Sequence, residues 1–179
     1  VSLDLNYRTS LWSVDEARKT LTPMLSHVDV LISNEVDITQ VLDIGADAID
    51  MPSGALNLSA YEAIARQAAG RYDLGMVAIT LRQSISASDN VWSACLLDGD
   101  DMHWSRQYPV HVVDRVGGGD AFAAGLVWAL LCDQSAEDAL EFAVAASCLK
   151  QTVEGDFSLA TTAEIEALVG GETSARIKR

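Results

Sequence analysis

Apolar stretches in this chain come in two kinds, and their alternation limits the folds open to it. Residues 28–33 (VDVLIS) and 76–81 (MVAITL) are short runs with little polar interruption. A strand with one wet face would alternate apolar with polar, so such runs read as strands buried on both faces, as in a parallel sheet. Around them lie helical segments with recognisable starts. Ser13-Val14-Asp15-Glu16 has capping-box spacing and predicts a helix to about Ser26, and Ser59-Ala60-Tyr61-Glu62 predicts a second to about Arg71. Ser135-Ala136-Glu137-Asp138 predicts a helix ending near Thr152, and Thr161-Thr162-Ala163-Glu164 predicts a last one stopping at Gly170-Gly171. Residues 1–5 have strand character, while 91–97 and 102–108 flank Asp98-Gly99-Asp100-Asp101 as a hairpin. The chain carries no internal repeat and no interdomain linker. The expectation is a single α/β domain over residues 1–179, a layered fold with a mostly parallel sheet flanked by helices.

The length of 179 residues and 49% hydrophobic content supply a sizeable core. The longest apolar run, residues 121–132, is too short to cross a bilayer and reads as buried helix. Cys95, Cys132 and Cys148 are an odd, scattered set without C-x-x-C spacing, expected to be small core residues in a reducing cytoplasm. His27, His103 and His111 show no metal-ligand spacing, and Trp92, Trp104 and Trp128 read as core or interface residues. A net charge of −14 argues against nucleic acid or an anionic membrane as partner. Any anion held by this chain must therefore be attracted locally, by backbone dipoles and a metal ion.

One stretch needs such a local explanation. Residues 116–126 read VGGGDAFAAGL: three glycines, a carboxylate, then a nearly all-apolar helix to about Cys132. Glycine loses more backbone freedom on ordering than any other residue, so something must require bare backbone there. A helix N-terminus offers unpaired N–H groups and roughly half a positive charge. Glycines before it let phosphate oxygens approach those amides. Asp120 would repel a phosphate as a bystander but is well placed as a general base, taking a proton from an attacking hydroxyl while the amides hold the developing charge. The plainer reading is a turn followed by an acid that favours a helix start.

Asp114-Arg115-Val116-Gly117-Gly118-Gly119-Asp120 resembles the D-T-x-G-A-G-D signature of ribokinase-like (PfkB-type) carbohydrate kinases, with Arg115 in place of threonine and Gly118 in place of alanine. The resemblance implies that Asp120 is the catalytic base and that Gly117, Gly118 and Gly119 line the anion hole. Asp114 and Val116 match positions that bind an activating monovalent cation, K⁺, in some members. Other segments agree in family order. Ser33-Asn34-Glu35-Val36-Asp37 resembles the N-x-x-E motif that organises Mg²⁺ and its waters; the acid falls on Asp37, with Glu35 beside it, and the departure leaves open which carboxylate serves. Asp4-Leu5-Asn6-Tyr7-Arg8 is similar to the D-x-N-x-R segment of 2-keto-3-deoxygluconate kinases, implying substrate contacts from Asn6 and Arg8. A guanidinium suits a sugar-acid carboxylate. Thr80-Leu81-Arg82-Gln83-Ser84 stands where the family has a nucleotide-side T-L-G-x-x-G loop, so Thr80, Leu81 and Arg82 are expected along the nucleotide. Asn34 is expected there too, and Ser147 in Ala143-Val144-Ala145-Ala146-Ser147 matches the small-residue helix beside the adenine.

The resemblance covers the whole chain but only the C-terminal part of a family member. It implies that the strands, lid and most sugar-binding side chains of an N-terminal half are absent. The expectation is a cytoplasmic, ATP- and Mg²⁺-dependent sugar or sugar-acid kinase, forming a homodimer and converting 2-keto-3-deoxygluconate to its 6-phosphate. A fructokinase- or ribokinase-type parent, or a non-catalytic nucleotide-binding or assembly domain, are the alternatives.

Overall fold

β1 (Ser2–Asp4), β2 (Val30–Asn34) and β3 (Met76–Ser84) run parallel, with Leu3 opposite Leu31 and Ile32 opposite Ala78. Leu31, Ile32, Val77, Ala78 and Ile79 are consecutive pairs and triplets, so they point to both faces of the sheet, and all are buried. This accounts for the absence of polar alternation. The computed structural model describes residues 1–45 and 57–171; the tail of residues 174–179, expected as a loose end, lies outside the described residues.

Helix starts follow their caps. α1 (Val14–Leu21) opens on Ser13 and Glu16 with both capping-box hydrogen bonds formed. It stops short of Ser26 because Pro23 has no N–H for another turn, and the chain tightens into a 3₁₀ turn, Thr22–His27. α2 (Glu35–Asp37) begins at Asn34 and widens into a further turn, Ile38–Leu42. α3 (Leu58–Tyr72) corrects the expected cap. Asn57 accepts the Ala60 N–H, and the Ser59 hydroxyl donates to the Asn57 side-chain oxygen instead. Asparagine caps at least as well as serine, and it stands at the right position.

β4 (Asp89–Asp98) and β5 (Asp101–Trp104) form the expected hairpin around Gly99, whose φ is +55°. The stretch 102–108 is not one strand, however. β6 (Tyr108–His111) is separate and pairs antiparallel with the other half of β4. The break falls at Arg106, whose backbone N–H donates to the Glu141 carboxylate and so leaves the ladder. α4 (Gly118–Leu131), α5 (Ala136–Gln151) and α6 (Thr162–Val169) complete the chain, the last two opening on Ser135 and Thr161 as predicted.

Parallel strands flanked by helices are the α/β architecture the sequence predicts. The described residues form two compact units. The first, within residues 1–84 and 93–104, has strand order β1-β2-β3-β4-β5 and a core that includes Leu25, Leu31, Ile38, Ile64, Val77, Ile79 and Leu97. The second, within residues 85–92 and 105–179, sets β6 on its share of β4 and packs α5 between α4 and α6. α4 and α5 approach closely at a glycine. A Cβ on Gly125 would come within 3.0 Å of the Ala143 Cα and 3.2 Å of the Ala146 Cβ. The rings of Trp128 and Phe142 stack 4.7 Å apart beside it. Cys95 and Cys148 are buried as expected, and burial pushes both thiols up to about 12. Cys132 is exposed instead, because it caps the outer end of α4.

Candidate active site

In a parallel sheet, residues at the carboxyl ends of the strands are those left free to meet a ligand. In the first unit β1, β2 and β3 end at Asp4, Asn34 and Ser84, so every candidate the sequence offers in this unit lies on or just past such an end. Asn6 takes a left-handed conformation, φ +39°, and its N–H donates to the Asp4 side chain at 3.1 Å. That turn brings the Tyr7 N–H to the Asp37 Oδ2 at 3.1 Å and leaves Arg8 exposed. Asn34 binds Asp37 reciprocally: its Nδ2 donates to Asp37 Oδ2 at 3.0 Å, and its Oδ1 accepts the Asp37 N–H at 2.8 Å.

Asp37 and Glu35 differ in how far their charge is met. Burial raises both carboxyls above their usual range. For Asp37 the Tyr7 and Asn34 hydrogen bonds and the nearby Arg8 offset part of that rise; for Glu35 the facing cation is Arg82. Asp37 Oδ2 already accepts two hydrogen bonds, so Glu35 is the less committed acid. These hard oxygen donors fit Mg²⁺. Among the described residues no three acidic, histidine or cysteine side chains converge into a metal cage. The set therefore suits an ion that keeps its waters and takes other ligands from phosphates. Thr80 donates to the Ser33 carbonyl at 3.4 Å and Arg82 is exposed. Leu81 corrects the expectation of a nucleotide contact from its side chain, which points into the core at 1% exposure, as alternation along β3 requires.

In the second unit each glycine of the run meets different surroundings. Gly117 has φ +77°, and a Cβ there would lie 2.1 Å from the Asp156 carbonyl oxygen. Gly118 packs against Gln151, and its N–H is spent on the Arg115 carbonyl at 3.2 Å. Gly119 has nothing within 4 Å of the position a Cβ would take. Asp120, next in the first turn of α4, is exposed. Among the described residues the N–H groups of Gly117, Gly119 and Asp120 have no protein acceptor. Three unpaired donors at the positive end of a 14-residue helix form a candidate anion site, with a solvent-facing carboxylate beside it. Ser147 departs from its expected place along the nucleotide. It is fully buried, and its hydroxyl donates to the Gly118 carbonyl at 2.8 Å, so it holds the helix start from behind.

Asp114 braces the loop before the glycines. Its carboxylate accepts the N–H of Val116 and the N–H of Gly155, each at 3.0 Å, and its own N–H meets the Gln151 carbonyl. Lys150, which sequence reading passes over, is buried at 1% exposure, its Nζ donating to the Val153 carbonyl at 3.3 Å. Helical spacing was the available signal: position 150 follows Ala143, Ala146 and Ser147 at seven, four and three residues, on the buried face of α5.

Residues 1–163 match the pfkB family carbohydrate kinase. A 2-dehydro-3-deoxygalactonokinase of Haloferax volcanii is 30% identical over 170 residues, covering 95% of this chain and 47% of the relative. The crystal structure of a 2-dehydro-3-deoxygluconokinase from Thermotoga maritima is similar with a TM-score of 0.86 at 44% identity, over 96% of this chain and 50% of that one. A PfkB family carbohydrate kinase from Listeria grayi gives a TM-score of 0.80 at 26% identity, over 94% of this chain and 49% of that one. The chain thus spans about half the length of the relatives it matches.

Proposed function

Because this chain belongs to the pfkB family of carbohydrate kinases, we propose that it is a single nucleotide-binding α/β domain carrying the phosphoryl-transfer residues of an ATP-dependent sugar-acid kinase. The observation that carries this reading is Gly119. Its two neighbours in the run are explained by protein packing, whereas bare backbone at Gly119 faces open space beside unpaired amides and an exposed carboxylate. That combination suits an incoming anion.

In this proposal Asp120 accepts the proton of the substrate's primary hydroxyl as that oxygen bonds to the γ-phosphorus of ATP and the bond to ADP breaks. The free N–H groups at the start of α4 hold the oxygens of the transferring group, where the helix dipole favours negative charge. Glu35, seconded by Asp37 and Asn34, would hold Mg²⁺ and its waters, and the ion would supply neutralisation of phosphate charge. Thr80 and Arg82 line the nucleotide, and Asn6 and Arg8 meet the sugar acid, whose carboxylate suits a planar guanidinium. The names of the Haloferax and Thermotoga relatives support a 2-keto-3-deoxy sugar acid as substrate, with the 6-phosphate as product.

Asp120→Asn tests this. In the protein that carries this chain, the variant is expected to bind Mg-ATP as the parent does by calorimetry while turnover falls on the order of 10³-fold. Undiminished turnover overturns the mechanism.

A further inference from the structure

Serine inside a helix ordinarily turns its hydroxyl back onto the carbonyl one turn earlier, or out to water. Ser147 does neither. It sits within α5 at 0% exposure, and its hydroxyl crosses to α4 to donate to the Gly118 carbonyl at 2.8 Å, 29 residues away in sequence. Both helices allow the approach. Gly125 lets α4 close on the Ala143 backbone, and the Gln151 stem lies 3.2 Å from where a Gly118 Cβ would be. The Gly118 carbonyl is one end of a planar peptide unit whose other end is the Gly119 N–H. That N–H belongs to the glycine whose Cβ position is open, and it has no protein acceptor among the described residues. A hydrogen bond on the carbonyl therefore acts on the amide in two ways. It fixes the plane in which the N–H points, and it draws charge through the peptide, so that the N–H becomes a stronger donor.

We propose that Ser147 is a positioning residue for the candidate anion site. From the buried side of α4 it holds and polarises the Gly118–Gly119 peptide, so that the Gly119 amide is aimed before an anion arrives. Satisfying the hydroxyl alone would have needed no such reach, because the Ala143 carbonyl stands one turn back on its own helix. A donor fixed in advance costs no reorganisation as charge develops on a transferring group. Ser147 acts through the backbone and touches neither nucleotide nor sugar. For its catalytic consequence the inference rests on the kinase reading; for its geometry it does not.

The test uses the protein that carries this chain, with isotope-labelled glycine and the Gly119 amide signal assigned by its loss in Gly119→Ala. Ser147→Ala is expected to move the Gly119 amide proton upfield while Gly99 and Gly170 hold still. It is also expected to lower kcat about tenfold at unchanged KM for Mg-ATP, short of the loss of about 10²-fold or more that deleting such a donor brings. Ser147→Cys, similar in size but a weaker donor, is expected to fall between serine and alanine in both readings. A serine that only joined two helices would lower the melting temperature on replacement and leave both readings where they were. A Gly119 amide that moves in neither variant overturns the proposal, whatever the kinetics. So does an alanine variant with the parent's kcat when Asp120→Asn has lost turnover. Undiminished turnover in Asp120→Asn would instead strike the kinase mechanism and leave the amide shift to decide this inference.

Discussion

At Gly117 the backbone sits at φ +77° with the Asp156 carbonyl 2.1 Å from where a Cβ would be, whereas at Gly119 the same position is open. The contrast separates fold from chemistry within three residues. Gly117→Ala combines a left-handed alanine with a backbone clash, and is expected to lower stability by about 3 kcal/mol in urea unfolding. Gly119→Ala replaces a helical glycine in open space and is expected to raise stability by up to about 1 kcal/mol. It also puts a methyl where a phosphate oxygen is proposed to approach, so kinase turnover is expected to fall. A Gly119→Ala variant with full turnover would remove that glycine's proposed role. The motif was legible as a whole, but nothing in three identical letters tells which glycine serves which purpose.

Elements were legible where local chemistry decides them. The side-chain oxygens of Ser13, Ser135 and Thr161 each accept a backbone N–H of the first turn at the predicted place. Asn57 caps α3 in place of Ser59, two residues on, and the Ser59 hydroxyl donates to the Asn57 side-chain oxygen instead. The split of 102–108 into β5 and β6 depends on Glu141, 35 residues from Arg106 and invisible to any local window. β6 is joined to β4 at one end through Asp89, whose carboxylate meets His111 Nδ1 at 2.8 Å and the Ser86 hydroxyl at 2.7 Å. His111 first, then Ser86, lower the Asp89 carboxyl below its ordinary 3.8. A depressed folded value means that this stabilisation is present above 3.8 and is lost as pH falls through the folded value. Asp89→Asn is therefore expected to melt below the parent at about pH 6, with the gap closing as both are acidified. A gap that persists in acid refutes the assignment.

Across the whole molecule, 26 acidic residues against 12 basic ones leave a self-repelling surface. Salt within a Debye length of those charges is expected to raise the melting temperature, in potassium and choline chloride alike, with each kcal/mol of relieved repulsion appearing as about 2–4 °C. A flat salt response in calorimetry sinks this reading. The same field explains why the candidate anion site relies on local amides. Among the described residues, no helix is long and apolar enough to cross a membrane.

By itself the sequence determined the things that short-range physics controls. Continuous apolar runs chose buried parallel strands, side-chain oxygens chose helix starts, and the spacing from Asp114 to Asp120 marked the motif. The tertiary structure alone decided the assignments that depend on packing: Ser147 turned inward onto Gly118, Leu81 into the core, and Lys150 buried with its ammonium on the Val153 carbonyl. Periodicity can place a residue on a buried face, but which charge or carbonyl waits there is set by segments remote in the chain, and a folded backbone is needed to bring them together.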